Sequence, residues 1–201
     1  DMSYYDAVYN RAPWSNKYNE TRKVVISENV TSIGNFAFYS LSNLTYVQFH
    51  GNSKLSKIGE KAFSYCNNLT DITLPNSVKS VGINAFSSCR ALANFTKNES
   101  ASIGDYAFYN CVNLQTVSTP KAKSFGDYAF SYCGMLTKAN LGKAILGKYC
   151  LYNNDNLVSA TAGSLKQYAI YSADNLKSLN IKNANRIESY ALYNLPKITS
   201  I

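Results

Sequence analysis

The side chains with the strongest intrinsic chemistry in this chain are five cysteines and a single histidine among 201 residues. Four of the cysteines, Cys66, Cys89, Cys111 and Cys133, stand 22 or 23 residues apart. A structural zinc site asks for thiolates and imidazoles in close pairs of the C-x-x-C kind. The sequence holds no such pair, and His50 is alone. Regular wide spacing means instead that the thiols occupy one position of a repeat. Stacked copies would then carry them as an inward column of small hydrophobes. Neighbouring thiols in that column come within disulfide reach, but parallel side-chain vectors make a poor bond geometry. Cys150 breaks the spacing; it replaces a small alanine and fills that space. Glu60, Asp105 and Asp127 recur near the start of successive copies, where capping of a helix N-terminus explains them. Carboxylates paired for acid–base work and phosphate-cradling glycine loops are both missing from the sequence. The expectation is therefore a protein without catalytic residues, metal or cofactor.

The elements that carry these residues follow from the repeat itself. Copies begin at Ile33, Ile58, Val81, Ile103, Phe125, Leu146, Leu165 and Ile187, in steps of 19 to 25 residues. That is the period of a solenoid. Each copy opens on an aliphatic residue or Phe, with a small residue four on and a large apolar one five on. A small or apolar residue usually follows eight on, and Leu or Ile eleven on. Ala62, Phe63 and Cys66 sit at i, i+1 and i+4, one face of a short helix. Leu69, Ile72 and Leu74 end in an i, i+2 alternation before Pro75, which predicts a short strand. Gly59 begins the bend into the helix, and Asn67 and Asn68 suit the following turn because short amides tolerate left-handed backbone. One copy alone exposes its apolar side chains; stacked copies bury them against their neighbours. The predicted fold is an α/β solenoid, a curved right-handed superhelix with short parallel strands on one face and short helices on the other. A parallel β-helix is the rival, and would need strand-like alternation over most of each coil.

The run I-G-E-K-A-F-S-Y-C-N-N-L-T-D-I-T-L-P-N-S-V from Ile58 to Val78 resembles the repeat of the BspA-like leucine-rich-repeat family. The A-F-x-x-C core returns as Ala85-Phe86-Cys89, Ala107-Phe108-Cys111 and Ala129-Phe130-Cys133. Later copies depart from it, as Cys150-Leu151-Asn154, Ala169-Ile170-Ala173 and Ala191-Leu192-Leu195. Asn154 thereby puts an amide where a thiol packs. The resemblance spans about Ile33 to Ile201. It implies a protein of bacterial surfaces or of some parasitic protists, with an adhesive role toward host or neighbouring-cell proteins.

Composition sets broader bounds. A chain of this length with 46% hydrophobic residues buries a substantial core as one elongated domain. No apolar run is long enough to span a bilayer, so no membrane insertion is expected in this segment. Asp1 in place of Met and a break in mid-repeat at Ile201 suggest a processed or partial chain. The net charge of +8 raises nucleic-acid binding, but the basic residues spread over the whole length without a K/R block. The densest stretch is Lys121, Lys123, Lys143 and Lys148, and it reads as a solvated edge weakly attractive to anionic polymers.

Residues 1–32 are expected to form an N-terminal cap, and 33–201 a solenoid of about eight units, the last incomplete. Tyr4, Tyr5, Tyr9, Trp14 and Tyr18 would cover the first coil with amphipathic rings. The H-G-N-S-K-L-S-K connection before Ile58 is the longest, with Leu55 as its anchor; the shortest unit, Leu146 to Ser164, predicts a tighter bend. Tyr106, Tyr128, Tyr149, Tyr168 and Tyr190 recur with Tyr109, Tyr152, Tyr171 and Tyr193 as a partly buried aromatic ladder. The outward strand positions supply the candidate binding surface: Tyr46, Gln48, Asp71, Thr73, Asn94, Thr96, Gln115, Lys138 and Asn140. Short polar groups on a broad sheet suit an extended protein or a glycan. The expected protein is a monomeric, non-catalytic interaction or adhesion module, extracellular or on the cell surface, with an extracellular protein as partner and no nucleic acid. A structural spacer and a glycan-targeting accessory module are the alternatives.

Overall fold

A computed structural model describes Trp14, Lys17 and residues 19–201. The chain winds into stacked coils, and each regular coil contributes one strand to each of two parallel sheets. The narrower sheet is built from β2 (Ser32–Ile33), β4 (Lys57–Ile58), β6 (Ser80–Val81), β8 (Ser102–Ile103), β10 (Ser124–Phe125) and β12 (Ile145–Leu146), in that spatial order. The broader sheet runs β5 (Asp71–Thr73), β7 (Asn94–Thr96), β9 (Thr116–Ser118), β11 (Lys138–Asn140), β13 (Ser159–Ala162) and β15 (Ser178–Ile181). Before it, β1 (Lys23–Ile26) pairs in parallel with β3 (Tyr46–Phe49). The predicted repeat starts fall into one register: Ile33, Ile58, Val81, Ile103, Phe125 and Leu146 are successive partners, and single bridges carry the line on to Leu165 and Ile187. The 19- to 25-residue period is thus the circumference of a coil.

The core is the layered column those coils enclose. Phe38, Phe63, Phe86, Phe108 and Phe130 stack with ring centroids 5.0 to 5.2 Å apart, close to the spacing of neighbouring strands. Leu44, Leu69, Leu92, Leu114, Leu136, Leu157 and Leu176 are each wholly buried beside them. At the N-terminal end Trp14 stacks on Phe38 at 5.4 Å and donates its indole N–H to the Ala37 carbonyl at 2.7 Å. Trp14 thus packs on the first ring of the column; of the other residues expected in the cap, Tyr4, Tyr5, Tyr9 and Tyr18 lie outside the described residues. Leu55 is buried and does anchor the long connection.

The short helices do not form. Between Gly59 and Cys66 the backbone makes successive tight turns, with left-handed residues at Lys61 (φ 51) and Tyr65 (φ 62), and the other coils repeat this pair. Alternate N–H groups then have different targets. Ser64 and Cys66 donate back within the coil to Lys61 and Phe63, while Lys61, Phe63 and Tyr65 donate to Ile83, Ala85 and Ser87 of the next coil. An α-helix is about 10 Å across, whereas strands repeat every 4.8 Å or so. Helices on every coil would splay the stack. Tight turns keep strand spacing on this side too, and they satisfy the i, i+1, i+4 apolar pattern as well as a helix does. In the last coils this segment straightens enough for β14 (Ile170–Tyr171) to pair with β16 (Leu192–Tyr193).

Three local expectations change with the helices. Gly59, Gly82 and Gly104 have ordinary φ and are required by close approach: a Cβ on Gly82 would lie 2.6 Å from the Gly59 carbonyl carbon. Asp105 and Asp127 cap no helix; they accept the backbone N–H of Asp127 and Lys148 in the next coil, each at 2.8 Å. Left-handed backbone falls on Tyr65 rather than on Asn67 or Asn68. At the position equivalent to Asn68 in three other coils, Asn43, Asn156 and Asn175 donate to carbonyls of the preceding coil, those of Asn19, Gly134 and Asp155.

Candidate functional site

The broad sheet turns alternate side chains outward, because Ile72, Phe95, Val117, Ala139, Ala160 and Leu179 at the strand centres point into the core. Two surface rows result. The first places Asp71, Asn94, Thr116, Lys138, Ser159 and Ser178 side by side; the second places Thr73, Thr96, Ser118, Asn140, Thr161 and Asn180. In the β1–β3 pair, Lys23 lies beside Tyr46 and Val25 beside Gln48. Of the nine residues predicted for this surface, eight stand on strands and face outward. Gln115 is exposed but precedes β9, so Thr116 takes the row position. Ser118, Ser159, Thr161, Ser178 and Asn180 complete the rows, and the strand alternation was the signal that could have found Ser118.

Hydrogen bonds between neighbouring strands pre-organise part of the face. Asn94 donates its amide to Asp71 at 3.0 Å and accepts the Thr116 hydroxyl at 2.7 Å. Thr161 donates to Asn140 at 3.0 Å. The Lys23 ammonium lies 5.8 Å from the centre of the half-exposed Tyr46 ring. Small side chains leave a hollow of about 240 Å³ lined by Lys138, Asn140, Ser159, Thr161, Ser178 and Asn180. Such a face offers hydrogen bonds and a few charges over six strands, about 24 Å at strand spacing.

The thiols have a different use. Cys66, Cys89, Cys111 and Cys133 are fully buried and unbridged, and each donates S–H to the Phe carbonyl of the preceding coil at 3.1 to 3.3 Å. Asn154 keeps that bond in amide form, donating to Phe130 at 2.9 Å while accepting the Cys133 N–H at 3.0 Å. Burial raises the thiol pKa, for Cys111 to about 12. Groups held neutral and bonded inward are poor nucleophiles and poor ligands.

The tyrosines form two columns. Tyr106, Tyr128, Tyr149, Tyr168 and Tyr190 stack face to face at 4.9 to 5.6 Å. Tyr109, Tyr132, Tyr152, Tyr171 and Tyr193 follow at 5.2 to 5.4 Å, several of them edge-on. Most are partly buried. Rings stacked on one another present edges and hydroxyls to solvent, so the first column is not a platform on which a sugar could lie flat.

Stacked parallel coils with a polar outward sheet face define a solenoid scaffold. The pattern described as "BspA type Leucine rich repeat region" matches residues 15–137 and 96–199, and the chain belongs to that family. A leucine-rich-repeat protein of T. pallidum superposes with a TM-score of 0.60 at 22% identity, over 96% of this chain and 91% of that one. A leucine-rich-repeat protein of Eubacterium ventriosum matches 100% of this chain and 83% of its own at 16% identity, with a TM-score of 0.46. A leucine-rich cell surface protein of Faecalibacterium prausnitzii gives 16% identity and a TM-score of 0.37, over 84% and 82% of the two chains. The first of these likenesses shows the fold alone. No curated protein matches the chain.

Proposed function

We propose that this chain is a non-catalytic interaction module of the cell surface or extracellular space, which binds an extracellular protein through the outward face of the broad sheet. The observation that carries this reading is the pair of in-register polar rows on that face, running across six strands without a covering element among the described residues. Their backbone groups are already paired, so the sheet is rigid before binding and little ordering entropy is lost on contact. Family membership supports an interaction role, and the surface location follows the family resemblance.

The test is capture of labelled matrix and cell-surface proteins on the immobilised chain, compared with a triple variant Asn94→Arg, Lys138→Glu and Asn140→Arg. These residues are solvent-facing, so far-UV circular dichroism should not move, and the loss of the exposed Asn94 and Asn140 cross-strand bonds should lower the melting temperature only slightly. Affinity should fall by roughly tenfold or more, since bulk and charge at a contact centre cost over 1.4 kcal/mol. Equal capture by the variant would remove the sheet as the contact, and silence across the protein panel would favour a structural spacer.

A further inference from the structure

The connections that lead from the broad sheet back to the narrow one change length along the stack. They span residues 74–79, 97–101, 119–123 and 141–144, and then only Gly163 and Ser164 before Leu165; in the next coil they lengthen again to 182–186. The missing residues open a notch over the shortest connection. Lys121, Lys143 and Lys182 from three different coils surround a cavity of about 430 Å³ there, with Pro120, Ala122, Asn140 and Gly142 as its walls. Lys182 is 39 residues from Lys143 in sequence, and only the stacking brings them together. Lys121 is paired with Glu99 at 2.9 Å. Lys143 and Lys182 have no carboxylate within ion-pair distance among the described residues.

We propose that this notch is a binding site for an acidic polysaccharide, one that carries carboxylate or sulfate groups along an extended chain. Three coil steps separate the outer lysines, about 14 Å at strand spacing, so the cations suit spaced anions rather than one phosphate. Between them the Pro120 ring, Ala122 and the Gly142 backbone offer apolar surface to the C–H faces of a sugar. The Asn140 side chain, whose oxygen accepts from Thr161, keeps its amide nitrogen for a hydroxyl or carboxylate. No aromatic ring lines the notch among the described residues, which removes the base stacking that single-stranded nucleic acids use. An acidic peptide finds its backbone partners taken, because Gly142 N–H is bonded to Thr161 and Lys182 N–H to Ala162. The site shares Asn140 with the margin of the sheet face but does not rest on the proposed protein contact there.

The experiment measures binding of the intact chain, by calorimetry and at two salt concentrations, to heparin oligosaccharides, polygalacturonate oligomers, neutral dextran, oligo(dT) and polyglutamate. Binding is expected to heparin or to polygalacturonate, weaker at high salt and absent for dextran; which of the two binds separates sulfate from carboxylate recognition. The double variant K143E/K182E should weaken that binding roughly tenfold or more, while K57E/K61E, an equal charge change on the second coil, stays within about twofold. K143Q/K182Q gives an intermediate loss, and Asn94→Arg on the sheet leaves binding unchanged. Failure to bind either acidic glycan overturns the proposal. So does tighter binding of oligo(dT) or polyglutamate, or an equal loss in both charge-reversal variants.

Discussion

At the scale of single residues, the polar positions of the repeat serve the neighbouring coil rather than their own. The thiol column shows this most clearly: each S–H reaches a carbonyl one coil back, and Asn154 reproduces the bond where the thiol is lost. Asn154→Ala would leave the Cys133 N–H and one lone pair of the Phe130 carbonyl without their present partner. A cost of about 2–3 kcal/mol is expected in urea unfolding, while Asn154→Cys, which restores the arrangement of the other coils, should cost less than half as much. Equal losses from the two would show that the hydrogen bonds contribute nothing beyond volume. The buried thiols also set an alkaline limit. An unfolded cysteine titrates near about pH 8.5, whereas burial holds the folded Cys111 thiol neutral to about pH 12. Stability is therefore fully present below the unfolded value. It falls as pH rises between the two, by up to about 1.4 kcal/mol per unit for each thiol. Alkaline unfolding should begin earlier in this chain than in its Cys111→Ala variant after matching both at neutral pH.

At the scale of the element, the turn segment from Gly59 to Cys66 depends on backbone contact between coils. Gly82→Ala places a methyl 2.6 to 2.8 Å from backbone atoms of Gly59 and Glu60, which side-chain motion cannot relieve. A loss of about 2–3 kcal/mol is expected, against less than about 0.5 kcal/mol for Gly134→Ala, where a Cβ meets nothing within 4 Å. Matching urea midpoints for the two variants would show that the glycine column is not a packing requirement. The same segment marks how far the sequence can be read. Repeat starts at Ile33, Ile58 and Val81 and the inward set Ala62, Phe63 and Cys66 follow from periodicity, and the structure keeps them. The helix does not, because i, i+1, i+4 spacing fits any backbone with about three to four residues per turn. What decides between them is the distance to the next coil, and a single copy contains no information about it. Of the two sheet rows, Asp71, Thr73, Asn94, Thr96, Lys138 and Asn140 were legible from alternation; Gln115 missed because the strand begins one residue later, and Ser118, Ser159, Thr161 and Ser178 were not read. The lysine notch was legible only in part: Lys121 and Lys143 stood in the densest basic stretch and the unit ending at Ser164 was the shortest, but the arrival of Lys182 from another coil depends on the stacking.

At the scale of the molecule, nearly every bond that closes a coil is made to the coil before or after it. Stability should then behave as a chain of nearest-neighbour terms, in which the middle of the stack matters more than its end. Phe108 stacks on both Phe86 and Phe130 at 5.2 Å and touches Phe95 at 4.2 Å. Truncating it to alanine removes the contact between two halves of the column, at a cost of about 3–5 kcal/mol. Tyr193, at the exposed end, is 48% accessible, and its truncation should cost under about 1 kcal/mol. Hydrogen exchange tells the two apart by location as well as size. Phe108→Ala should lower protection in the coils on both sides, from the turn after Val81 through that after Phe125, and Tyr193→Ala only in the last two coils. A uniform loss of protection along the whole chain in both variants would mean that the stack opens as a single cooperative block. In that case a contact at one end, whether on the sheet or in the notch, would stiffen every coil, and ligand binding would raise protection throughout instead of only near the site.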